Sequence, residues 1–169
     1  MSNTKTDRSR SRQLYTDAER ARRDATRWTL VQGVLAPVQF LVFLVSLALV
    51  LRYLFSGDGY MAATVSVLLK TAVLYLIMVT GAIWEKVVFG RYLFAPAFFW
   101  EDAFSMVVIA LHTAYIIALF WGGLSAAGLM LLALAAYAAY VINAVQFVWK
   151  LRLARLDAAA RTGRAEVAV

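Results

Sequence analysis

Twenty-six consecutive residues, Leu124 to Trp149, carry no formal charge, and three earlier stretches, Trp28–Phe55, Met61–Trp84 and Phe98–Trp121, are nearly as apolar. A helix rises ~1.5 Å per residue, so each stretch can cross the ~30 Å of a bilayer's hydrocarbon. The four spans and their short connections nearly exhaust the chain between Arg27 and Lys150, which leaves no room for a separate soluble catalytic domain. The expected architecture is an all-α integral membrane protein, a four-helix transmembrane bundle with spans at about 28–55, 61–84, 98–121 and 124–149. A basic segment, 1–27, precedes it and a basic tail, 150–169, follows. Hydrophobic residues make up 63% of the chain and the mean hydropathy is +0.71, well beyond a soluble domain of this size.

The net charge of +7 invites a nucleic-acid reading, but its placement argues against one. Of seventeen Lys and Arg, eight lie in residues 1–27 and five in 150–169, with Lys86 and Arg91 in the central connection. Neither of the other two connections contains a Lys or Arg, although Arg52 stands close to the first. Positive residues collect on the cytoplasmic side, so both termini and the central connection are expected there. The absence of cysteine excludes thiolate chemistry and disulfides, and a single histidine excludes a multi-His metal centre.

Residues 1–13 are rich in Ser, Thr and Arg and are expected to be mobile. Thr16-Asp17-Ala18-Glu19 has the form of a capping box, opening a short basic helix that reaches Arg27. Pro37 interrupts the amide ladder of the first span, and Ser56-Gly57-Asp58-Gly59 forms a tight turn after it. The central segment from Glu85 to Asp102 is unusually aromatic: Phe89, Tyr92, Phe94, Phe98, Phe99 and Trp100 fall within twelve residues. Such a segment is expected to lie in the interface or dip into the bundle mouth, although an ordinary aromatic belt has the same composition.

Ionisable groups inside the spans are few, and helical spacing collects them. At ~100° per residue, Glu101, Ser105 and His112 share an arc of the third span, and Asn143, Gln146 and Lys150 share one of the fourth. Gln32 and Gln39 share a face of the first, and Lys70 a stripe of the second that Glu85 joins. Gln39, Lys70 and His112 fall near mid-depth; Glu85, Glu101, Asp102 and Gln146 lie nearer the cytoplasmic surface. An unpaired lysine at the bilayer centre costs about 2.5–3.5 kcal/mol on insertion scales, so these faces are expected to point inward, around a polar cavity ending at Lys70 and His112. Structural roles compete for each residue. Acids in a first helical turn stabilise it by about 0.3–1 kcal/mol, which suits Glu101 and Asp102. Asn143 and Gln146 can act as interhelical glue, and Lys70 can snorkel.

The runs Arg27-Trp28-Thr29-Leu30-Val31-Gln32-Gly33, Trp84-Glu85-Lys86-Val87-Val88-Phe89-Gly90 and Phe98-Phe99-Trp100-Glu101-Asp102 resemble the 2-vinyl bacteriochlorophyllide hydratases. So do Leu111-His112-Thr113-Ala114-Tyr115 and Tyr140-Val141-Ile142-Asn143-Ala144, and the likeness spans roughly residues 14–156. The resemblance implies hydration of the ring vinyl group of chlorophyllide a or a 3-vinyl bacteriochlorophyllide to a 1-hydroxyethyl group, in the inner membrane of a photosynthetic bacterium. The implied partners are that magnesium tetrapyrrole, the lipid bilayer and neighbouring pigment-biosynthesis enzymes, with no nucleic acid, no cofactor and no metal of the protein's own.

Such a reaction places a proton on the terminal vinyl carbon before water attacks the inner one, so a general acid must stay protonated near neutral pH. Glu101 is the first candidate and Glu85 the second, with Asp102 able to orient and deprotonate the water. Trp100 and its aromatic neighbours offer a slot for the macrocycle, and Lys86 or Arg91 a contact for its propionate; Gln39, Lys70, Asn143 and Gln146 are further candidate substrate contacts. His112 can ligate the substrate magnesium or serve as acid and base itself. The ~16 Å along eleven residues between it and Glu101 favours ligation, because water would have to bridge that distance. A non-enzymatic pigment carrier or assembly factor would use the same slot without an acid. A proton-coupled transporter is disfavoured by the apolar runs Phe40–Leu51 and Leu129–Ala136.

Overall fold

The computed structural model describes residues 14–167, which form five helices: α1 (Asp17–Ala25), α2 (Arg27–Ser56), α3 (Tyr60–Phe89), α4 (Phe99–Trp121) and α5 (Ala126–Val167). Four of these, α2 to α5, are long and apolar enough to cross a membrane, the last over Ala126–Leu153. The segment expected to be mobile, 1–13, lies outside the described residues. Two helices run further than the charge pattern suggests. α3 continues past Trp84 to Phe89, so Glu85 and Lys86 are helical and the connection shrinks to 90–98. α5 passes Lys150 without a break and reaches Val167.

Local chemistry explains the ends. The capping box forms: Thr16 N–H donates to Glu19 Oε2 (2.7 Å) and Glu19 N–H to Thr16 Oγ1 (3.3 Å). α1 stops at Ala25, short of the expected Arg27, because Thr26 turns extended and its hydroxyl accepts the Trp28 amide (3.3 Å), opening α2. Gly57 ends α2 at φ 76°, where a side chain would meet its own backbone, and returns its N–H to Tyr53 O (2.8 Å).

α2 and α3 form one hairpin and α4 and α5 another; the two meet where α2 lies along α5 and where α3 touches both members of the second hairpin. Phe43, Val50, Val67, Leu74, Val108, Tyr115 and Met130 fill the interior, and Leu30, Phe55, Met61, Phe120 and Trp121 point outward. Lipid is as apolar as leucine, so burying these side chains does little to choose partners; close packing and hydrogen bonds between helices do. The Ser46 hydroxyl joins α2 to Ser66 of α3 (2.7 Å) and to the Tyr137 hydroxyl of α5. Gln32 Nε2 donates to Thr80 Oγ1 (2.8 Å) and Trp84 Nε1 to Thr29 Oγ1 (2.9 Å). Ser46→Ala is expected to destabilise the bundle by about 0.6 kcal/mol and at most about 1.7. Denaturation in mixed micelles reads this directly, and an unchanged midpoint would show that the three hydroxyls contribute nothing to helix association.

A second, smaller core closes one end of the bundle. Tyr15 stacks on Phe89 (centroids 5.7 Å apart), Trp84 sets its edge against Phe98 (5.8 Å), and Phe98 stacks on Phe147 (5.9 Å). The aromatic segment expected in the bundle mouth is therefore divided. Phe89 and Phe98 turn inward, whereas Tyr92, Phe99 and Trp100 are exposed.

Candidate active site

Beneath that aromatic lid lie three buried carboxyl groups, Glu85 from α3 and Glu101 and Asp102 from the first turn of α4. The 90–98 connection is threaded so that two of its amides reach them. Phe94 N–H donates to Asp102 Oδ2 (2.7 Å) and Ala95 N–H to Glu85 Oε2 (3.3 Å). Phe94 adopts φ 58° to present its amide, a left-handed conformation that a bulky residue takes only when its surroundings impose it. Adjacent amides of one connection thus hold Asp102 and Glu85, one each. Glu101 is differently placed: its Oε2 receives Lys150 Nζ at 2.6 Å, a close ion-pair contact. The Lys150 ammonium also sits over the Phe98 ring, 5.0 Å from its centroid.

Glu101 and Lys150 line an open groove of about 350 Å³ whose other walls are Val145, Gln146, Trp149 and Leu153. It is apolar on the α5 side, where Val145, Trp149 and Leu153 face outward, and charged at its head. One turn deeper, Asn143 Nδ2 donates to Ser105 Oγ (2.8 Å). Deeper still, Lys70 and His112 are both 0% exposed. Lys70 Nζ rests over the Tyr140 ring (3.9 Å to the centroid), and His112 lies against Tyr137 (5.9 Å between rings) with Nδ1 on Val108 O (2.8 Å).

The arc expected on α4 does face inward, with Glu101, Ser105 and His112 all buried, as do Gln39, Lys70, Asn143 and Glu85. The structure brings Glu85, Asp102 and Glu101 together at one end, but it does not bring His112 to them. Lys70 and His112 are fully buried, and the groove at Glu101 does not include either residue. Lys86 and Arg91 lie on the surface of the same end; Lys86 Nζ donates to Gly90 O (3.0 Å) and sits over the Tyr92 ring (5.2 Å). Trp100 is 68% exposed and takes no part in the groove. Lys150 was readable as sharing a face with Asn143 and Gln146, yet its position at the end of a span marked it as an exit charge. Its partner became visible only in three dimensions. No group of three His, Cys, Asp or Glu suited to a metal ion occurs among the described residues.

Fold and site together define a multi-pass helical membrane protein with three buried carboxyl groups at one end of its bundle. The family model for 2-vinyl bacteriochlorophyllide hydratase matches residues 15–153, and the chain belongs to that family. It is 73% identical over 147 residues to the 2-vinyl bacteriochlorophyllide hydratase of Cereibacter sphaeroides, covering 86% of this chain and 91% of that one. To the protein of the same name from Rhodobacter capsulatus it is 72% identical over 146 residues, covering 86% and 85%. No solved structure matches.

Proposed function

We propose that this chain adds water across the vinyl group of a bacteriochlorophyllide-type magnesium tetrapyrrole to give the 1-hydroxyethyl product. The observation that carries this reading is the gathering of three buried carboxyl groups, Glu85 with Asp102 and the Lys150-bound Glu101, at the head of an apolar groove. Hydration of an alkene needs both a proton donor and a base for the incoming water, and these two sets supply one each.

The proposed cycle balances. The proton held between Glu85 and Asp102 goes to the terminal vinyl carbon, and conjugation with the macrocycle spreads the resulting positive charge. Water attacks the inner carbon and gives its proton to Glu101. That proton then passes from Glu101 to the neighbouring Asp102–Glu85 pair, which restores the starting state and leaves one water added. Glu101 thus takes the base role and the pair takes the acid role, because Lys150 pairs with Glu101 and with neither of the others. Lys150 has a second use: exposed by about a quarter, it can also meet a propionate carboxylate at the groove's rim. Lys86 and Arg91 extend positive charge along the same end. The macrocycle lies along Val145, Trp149 and Leu153 and enters from the lipid.

The finer placement follows from charge. Lysine and arginine crowd the end that carries the carboxyls, so this end, both termini and the 90–98 connection are assigned to the cytoplasmic side of the bacterial inner membrane. Membranes containing the chain as the sole added enzyme, supplied with chlorophyllide a or a 3-vinyl bacteriochlorophyllide, are expected to form the hydroxyethyl product. Pigment retention without conversion would instead identify a carrier or an assembly factor and remove the catalytic reading.

A further inference from the structure

The interface between α4 and α5 is polar at three successive levels. His112 meets Tyr137, Ser105 meets Asn143, and Glu101 meets Lys150, pairs that run in antiparallel register down the two helices. Along this seam several buried polar atoms have no hydrogen-bond partner among the described residues: His112 Nε2, Lys70 Nζ, Asn143 Oδ1, Gln39 Oε1 and Gln146 Oε1. Gln39 belongs to the same level, since it stands one turn from Phe43, whose ring lies 4.9 Å from that of Tyr140.

Their chemistry identifies the ligand. Val108 O is an acceptor, so the proton of a neutral His112 sits on Nδ1 and Nε2 presents a lone pair. Three amide oxygens add further lone pairs, and Lys70 is the lone donor of the set. An anion would be repelled by four acceptors and a metal cation by the ammonium. Water answers both, accepting from Lys70 and donating to the rest, and a buried water makes about three such bonds. A buried lysine nitrogen at this depth with only an aromatic face beside it is otherwise hard to account for.

We infer that the α4–α5 seam is a blind-ended water file, running from Lys70 and His112 to Gln146 and Glu101, that stores the water consumed by hydration. The inference rests on the hydratase reading for its purpose, though not for its test. The chain has a single histidine, so labelling that amino acid with ¹⁵N marks His112 alone, free of added affinity-tag histidines. Solid-state NMR of the whole chain in lipid vesicles, with magnetisation started either on water or on acyl chains, reads which medium touches the ring. Transfer from water is expected to build up several-fold faster than transfer from lipid, and to slow several-fold in Lys70→Met. Transfer from lipid alone, or none from water in the unsubstituted protein, would overturn the file. A wet His112 in a chain that converts no pigment would keep the file and reject the hydratase reading.

Discussion

Asp102→Asn is expected to slow hydration by about 10²–10⁴-fold, the range in which a positioned general acid contributes, while leaving the chain folded. The amide oxygen of Asn can still accept the Phe94 N–H, so the grip of α4 on the 90–98 connection persists. What disappears is a proton that can leave. Glu85→Gln should do the same through the other member. Because the two act as one unit, the double substitution should cost little more than either alone. The measurement is single-turnover product formation by protein in vesicles at saturating pigment. A rate within threefold of the unsubstituted protein would exclude the pair as the acid.

Lys150→Met is expected to destabilise the bundle by about 3 kcal/mol, the lower end of what removing one partner of a buried ion pair costs, since Lys150 is itself a quarter exposed. The penalty arises because the Glu101 carboxylate stays behind, buried and without its cation. Adding Glu101→Gln should therefore return most of the lost stability. It should not return activity, because the proposed base is then gone. Unfolding midpoints and turnover measured on the same four proteins separate the two roles. Equal stability of Lys150→Met and the unsubstituted chain would show that the pair is solvated and holds nothing together.

Much of this arrangement is legible in the sequence, for definite reasons. Four long apolar runs can only be membrane-length helices, and Thr16 with Glu19 announces the start of α1. The four- and seven-residue spacings among Glu101, Ser105 and His112 place them on one face whatever the packing. The partnerships are harder. Glu85 meets Asp102 because α3 continues beyond Trp84, and nothing in the charge pattern marks that extension. Phe94 enters a left-handed conformation that no phenylalanine advertises; the grip of Asp102 on its amide demands it. Lys150 looks like a residue leaving the membrane until Glu101 is seen 2.6 Å away. The depth of burial of His112 is equally illegible, since helical faces tell which residues converge but not how far their neighbours cover them.

The seat of α1 has a practical consequence. Arg22 Nε donates to Val88 O (2.8 Å) at the end of α3, three residues from Glu85, while Tyr15 covers Phe89 and packs near Phe98. A surface helix thereby buckles the carboxyl-bearing tip of one hairpin to the lid above the other. Any trimming of the N-terminal side that passes Tyr15 would loosen this buckle and bare the aromatic rings beneath it. Fluorophores or purification handles meant to leave the chemistry undisturbed are better attached at the opposite extremity, in the turns around Asp58 or Gly123.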